Sequence, residues 1–202
     1  MTPYSLAFYL DAVTTGTVLG LRPDDHPGRV AEVLGTEFGE NGGRDTLWRD
    51  YGLIEFHWHR ARPTDPWAGH HVSLQVHRLA HRDRTLAGGA LRARYGRFAP
   101  RLRFDQLHRL LERRGAALVP EAGAAPNAPY FRTYEHPASG ATVTVVATYG
   151  EHSTPPGLRP GDVYAIRLPA GAGTAGPPDR TGSGSGLRGQ ASGRTTPAAA
   201  RA

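Results

Sequence analysis

An α+β fold is predicted for this chain: two helix-plus-antiparallel β-meander units sharing a sheet, with a disordered C-terminal tail. Three observations predict it. An amphipathic helical stretch leads into alternating strands, and the same succession then recurs. The strands are short and separated by turns rich in Gly and Pro, as antiparallel hairpins require. From Pro169 onward Leu187 is the only large apolar side chain, so the segment cannot offset the entropy of ordering itself. The expected layout is an α+β domain over residues 1–168, in units of about 1–90 and 91–168, followed by a Gly/Ala/Ser/Thr/Pro-rich tail over 169–202.

The opening YSLAFYL sets Tyr4, Leu6, Phe8 and Leu10 in alternation, a pattern that fits either a strand or a short helix and predicts burial in both cases. In RPDDHPGRVAEVLG, Asp25 or His26 is placed to cap a helix and Pro27 to occupy its first position. Val30, Val33 and Leu34 then share a face and Gly35 ends it. The loop GENGGRD follows, and Trp48 is expected in a loop. Then GLIEFHWHR sets Ile54, Phe56 and Trp58 against Glu55, His57 and His59, a half-buried strand. After the PTDPWAG turn, HVSLQVHRL sets Val72, Leu74 and Val76 against Ser73, Gln75 and His77, so 53–79 is expected to be one hairpin with an apolar and a polar face.

The second unit opens on LRFDQLHRLLERRG, where Phe104, Leu107, Leu110 and Leu111 form a helical stripe and Gly115 ends it. YFRTYEH, ATVTVVATY and DVYAIRL supply the strands.

Composition excludes several classes of chemistry. With no Cys there are no disulfides, thiol nucleophiles or thiolate zinc sites. Every one of the 24 basic residues is Arg, so mechanisms using a Schiff-base or P-loop lysine are excluded. There is no G-x-S-x-G. Asp24 and Asp25 are explained by a helix start, and Ser139 and Ser153 by turns. The His77/His81 pair lacks the Glu that a zinc protease requires after its first His. No catalytic residue and no cofactor is expected. Without an apolar run of membrane length or a basic leader, the expected location is the cytoplasm, with no membrane partner.

Charge is distributed unevenly. Residues 1–77 carry 6 Arg against 10 acids (−4), 78–114 carry 11 against 3 (+8), 115–168 carry 3 against 4 (−1) and 169–202 carry 4 against 1 (+3). Three readings of a functional surface follow. The first is a protein-binding face made of Glu55, His57, His59, Ser73, Gln75 and His77, with Trp48 and Trp67 as anchors. The second is nucleic-acid binding through Arg92, Arg94, Tyr95, Arg97, Arg101 and Arg103, where cations interleave with aromatics. The third is a metal site of His57, His59 and His77. Edge strands of an antiparallel sheet leave a homodimer open as well.

The helix P-x-x-V-x-x-V-L-G, Pro27 to Gly35, leading through a polar loop into Y-G-L-I-E-F at Tyr51 to Phe56, resembles the helix-loop-strand module of tandem-repeat proteins of the β-lactamase-inhibitor-protein type. The resemblance covers roughly residues 20–168; the second unit departs from it, ending as ERRG at Glu112 to Gly115. It implies two units sharing a sheet whose helix-free face grips a partner protein. In style the chain is also similar to bacterial immunity proteins, which neutralise a cognate toxin by binding it.

Overall fold

The computed structural model describes residues 4–121, 129–149 and 156–171. Ser153 and the tail from residue 172 lie outside the described residues.

In chain order the elements are α1 (Tyr4–Thr15), α2 (Pro27–Leu34), β1 (Gly39–Gly42), β2 (Thr46–Asp50), β3 (Ile54–His59), β4 (Ala68–Leu74), a 3₁₀ helix (Val76–His81), α3 (Gly89–Tyr95), α4 (Phe104–Arg113), β5 (Val119–Pro120), β6 (Phe131–Glu135), β7 (Thr142–Val146) and β8 (Val163–Pro169). The strands form one antiparallel sheet in the order β1-β2-β3-β4-β8-β7-β6-β5. Each unit thus supplies two helices and a four-stranded meander, and the last strands of the two meanders meet at the centre.

The strand pairing places a local two-fold axis there. Val72 opposes Leu168 and Leu74 opposes Ile166, so Ser73 and Arg167 face one another on the axis. Both meanders also bulge at the same place. Between β3 and β4 the pairs His57↔His71 and Trp58↔Gly69 leave His70 extra, and between β7 and β8 the pairs Thr144↔Ala165 and Val145↔Val163 leave Tyr164 extra. An inserted residue breaks the in/out alternation of a strand and increases its local twist.

One sheet face joins the helices in a single apolar core. Phe56, Trp58, Val72, Leu74, Ile166 and Leu168 pack with Phe8 and Leu10 of α1, Val30 of α2, and Leu107 and Leu111 of α4. The opening segment is a helix because its apolar residues do not simply alternate. Leu6, Phe8, Tyr9, Leu10, Ala12 and Val13 are all buried, which only a helix enclosed on most of its surface permits. It ends at Gly16, whose φ of +67° suits glycine. His26 caps α2, its Nδ1 accepting from the Gly28 N–H at 3.1 Å, and Pro27 follows at the first helical position.

Four features depart from the sequence expectations. GENGGRD and Trp48 belong to a hairpin, β1–β2, rather than a loop; its outer strand is fully exposed and so carries no apolar pattern to read. The expected hairpin 53–79 ends at Leu74, where the chain turns into the 3₁₀ helix and buries Val76 and Leu79 from there. The Arg-rich connection contains α3, which buries Leu91 and Tyr95. Strand β8 runs through Pro169, and Ala170 N–H donates to His70 O, so order extends past the expected boundary at 168.

Gly69 allows the sheet to meet the α1–α2 connection. A Cβ built there would stand 2.0 Å from Pro23 O and 2.4 Å from the Asp24 Cα, backbone atoms that cannot swing aside. Gly69→Ala is therefore expected to cost at least the ~1–3 kcal/mol typical of overpacking, read as a lower denaturant midpoint at an unchanged m-value.

Candidate binding face

The helix-free face carries a continuous row of rings. Trp48 on β2 stacks on His57 of β3 (centroids 6.1 Å), which stacks on His71 of β4 at 4.2 Å. His71 meets the His70 ring at 4.8 Å, and His70 meets His59 edge-on at 5.7 Å. The bulge makes this possible. His70 and His71, expected on opposite faces of a regular strand, share this one, with their Nδ1 atoms 2.6 Å apart. Arg167 of β8 extends the row across the two-fold axis, its Nη2 3.3 Å from His71 Nδ1. Burial, with the neighbouring His57, Arg167 and His70, pushes the His71 pKa down to about 2, so its ring is neutral at any ordinary pH.

Beneath the row lies an ionic node. Glu55 is 6% exposed and accepts from Arg78 Nη2 and Gln75 Nε2, with His57 Nε2 3.6 Å away. Arg78 Nη1 also reaches both carboxylate oxygens of Asp50 at 2.9 Å and the carbonyl of Gly52 at 2.8 Å. Burial works to raise the Glu55 pKa. The hydrogen bonds from His57, Gln75 and Arg78, with the Arg78 charge, outweigh it and hold the carboxyl below its usual range. A guanidinium that bridges the β2–β3 turn to the start of β3 fixes the floor on which the rings sit.

The expected site residues separate accordingly. Trp48, 36% exposed, and the half-buried His57, His59, Ser73 and Gln75 lie in or beside the row. Glu55 is on this face but buried and paired, which corrects its reading as a contact residue. His77 is not in the strand; it sits on the 3₁₀ helix and stacks on Tyr164 at 4.3 Å and 4°. Trp67 packs against the core with Arg60 4.0 Å over its ring. The expected metal group His57, His59 and His77 does not converge, and among the described residues no three His, Asp or Glu side chains are placed to hold a metal ion.

The nucleic-acid segment is also corrected in part. Tyr95 is buried, and Phe98 lies in the core against Phe8 (5.5 Å), so neither stands free between the arginines as a stacking ring. Arg101 Nε and Nη2 hold the wholly buried Asp162 at 2.6 and 3.0 Å, with Arg103 at 3.4 Å, which ties the turn before β8 to the start of α4. Arg92, Arg94 and Arg97 remain exposed. Ser139 Oγ, 2.9 Å from His136 Nδ1, also lies 2.6 Å from Val13 O as its donor, a turn lock between α1 and the β6–β7 hairpin.

On the second meander the same face presents Tyr164, with Phe131 edge-on at 4.9 Å, and Val119, 45% exposed on the outer strand. Sequence reading missed Arg78, His70, His71, Tyr164 and Arg167 as members of this surface.

No family model, no curated protein and no solved structure matches the chain. Among the described residues no helix is long and apolar enough to cross a membrane.

Proposed function

We propose that this chain is a non-catalytic protein-binding module of the cytoplasm that seats a partner on its helix-free sheet face. In its sharpest form it is an immunity-type protein that neutralises the partner by covering it. The observation that carries this reading is the ring row Trp48–His57–His71–His70, continued by Arg167, across four adjacent strands. Such a surface combines aromatic contact area, an Arg at its inner end and few free charges, the composition of interface cores. It is also held in place from below by the Arg78 node, which lowers the entropy lost on docking. Arg167 pairs with no carboxylate among the described residues, so the partner it suits presents an acidic side chain there.

The test uses the full chain as bait in lysate of its source, with and without nuclease treatment. One stoichiometric protein is expected on the wild type and not on Trp48→Asp/Arg167→Glu, with both baits melting alike. Equal retention by the two baits would remove the sheet face from consideration. Retention lost on nuclease treatment alone would remove protein binding.

A further inference from the structure

A second surface, away from the ring row, concentrates unmatched charge around a cavity. Where the 3₁₀ helix ends, the following loop, α3 and the stretch 96–100 enclose about 610 Å³ lined by Arg82, Arg84, Arg92 and Arg97. The floor is apolar: Leu79, Ala87 and Phe98 are each under 10% exposed. Asp83 is the single acid in the lining, and its Oδ1 is already engaged by the Thr85 N–H at 2.8 Å and the Thr85 hydroxyl at 2.7 Å.

These four arginines share one cavity and, among the described residues, have no carboxylate of their own, unlike the arginines that hold the fold together. Arg49, Arg78 and Arg101 each hold a carboxylate within hydrogen-bond distance. Among the described residues none pairs with Arg82, Arg84, Arg92 or Arg97; Arg92 Nε donates only to the carbonyl of Gly88. Like charges gathered around one cavity repel, and that repulsion is relieved when an anion enters. Guanidinium forks match phosphate oxygens two at a time, and the volume falls within the ~300–1,000 Å³ of small-molecule sites.

We propose that this cavity binds a phosphate ester of nucleotide size, its phosphates held by Arg82, Arg84, Arg92 and Arg97 and its apolar body resting on Leu79 and Phe98. A single phosphate would leave the apolar floor uncovered, and an apolar ligand would leave the guanidinium charge unmatched. The same chemistry is offered by a free nucleotide and by the end of a nucleic-acid strand. This site is independent of the sheet face, and either can fail without the other.

The experiment titrates the full chain at low salt with adenosine triphosphate, pyrophosphate and a short single-stranded oligodeoxynucleotide. Saturable one-to-one binding of adenosine triphosphate is expected, weakened at least tenfold by Arg84→Glu/Arg97→Glu and little changed by Arg62→Glu on a distant turn. Arg84→Ala/Arg97→Ala should give an intermediate loss, and melting curves confirm that all variants fold. Oligonucleotide binding alone, lost with the same pair, would keep the phosphate site and assign it to a strand. No saturable binding of any probe would overturn the proposal, as would equal losses in Arg62→Glu. Partner retention in the sheet-face test should be unaffected by the Arg84/Arg97 pair.

Discussion

Trp58→Ala is expected to lower stability by about 3–5 kcal/mol, the range for truncating a large aromatic in a core, and to bring the thermal midpoint down by many degrees. Trp58 is 2% exposed and stacks on Phe56 at 5.6 Å. Two further losses accompany the cavity. Its Nε1–H donates at 2.8 Å to Asp25 O, in the connection before α2, and that carbonyl would be left with one partner fewer. Its neighbour on the β4 side is Gly69, which has no side chain with which to fill the space. Trp58→Phe separates the two contributions, since it keeps most of the ring volume and loses the donor. A loss of about 1 kcal/mol for Phe against several for Ala would assign most of the effect to packing. Equilibrium denaturation of the three proteins decides it, and a fall under 1 kcal/mol for Ala would remove Trp58 from the core.

The alternation that located β3, β4, β7 and β8 was readable because those strands bury one face, and burial is what writes a period of two into a sequence. Helices α2 and α4 were readable for the same reason at period 3.6. The edges were not. Gly39–Gly42 is exposed along its whole length, and Val119–Pro120 is only two residues long, so neither carries a pattern. Helix α3 is seven residues with arginines on its outer face, and composition alone reads that as a linker. The opening helix is enclosed on too many sides for a one-faced stripe to form.

The binding face was legible in part, and the limit was register. His57 and His59 follow from alternation alone. His70 and His71 could not be placed together without the bulge, although there was a signal. Gly69 and Val72 both belong to the apolar face and are three apart, which an uninterrupted strand cannot arrange. Arg167 needed the pairing of β4 with β8, and no local pattern encodes which strands of two meanders meet. Glu55 was read as a contact residue because its position in the alternation is polar. The residue that buries it, Arg78, is 23 positions away on an element whose 3₁₀ turn replaced the expected strand.

Arg78→Met tests that node, and the expected cost is about 3–5 kcal/mol, because removing one partner of a buried ion pair leaves the other charge uncompensated. Arg78 is nearer the surface than Glu55, with side-chain exposures of 28% and 8%, so the low end of that range is expected. The double variant Arg78→Met/Glu55→Gln should recover much of the loss, since a neutral amide needs no counter-charge; no recovery would mean that Arg78 acts through Asp50 and the Gly52 carbonyl instead. Acid gives an independent reading. The Glu55 carboxyl is held below its usual range in the folded state, so its contribution is fully present above the unfolded-state pKa and is lost as pH falls through the folded value. His71 acts in the same sense over a higher window. Its folded pKa of about 2 lies far below that of an unfolded histidine, so the unfolded chain gains a proton first and stability declines from the ordinary histidine range down to about pH 2. The wild type should therefore begin to lose stability at mildly acidic pH, the histidine stage, and lose it more steeply in the carboxylate range, where the Glu55 stage adds to it. Arg78→Met removes the main counter-charge of Glu55, so the carboxylate stage should shrink while the histidine stage remains. Two unchanged stages in that variant would separate Glu55 from the acid response, and a His71→Gln variant that kept the upper stage would do the same for His71.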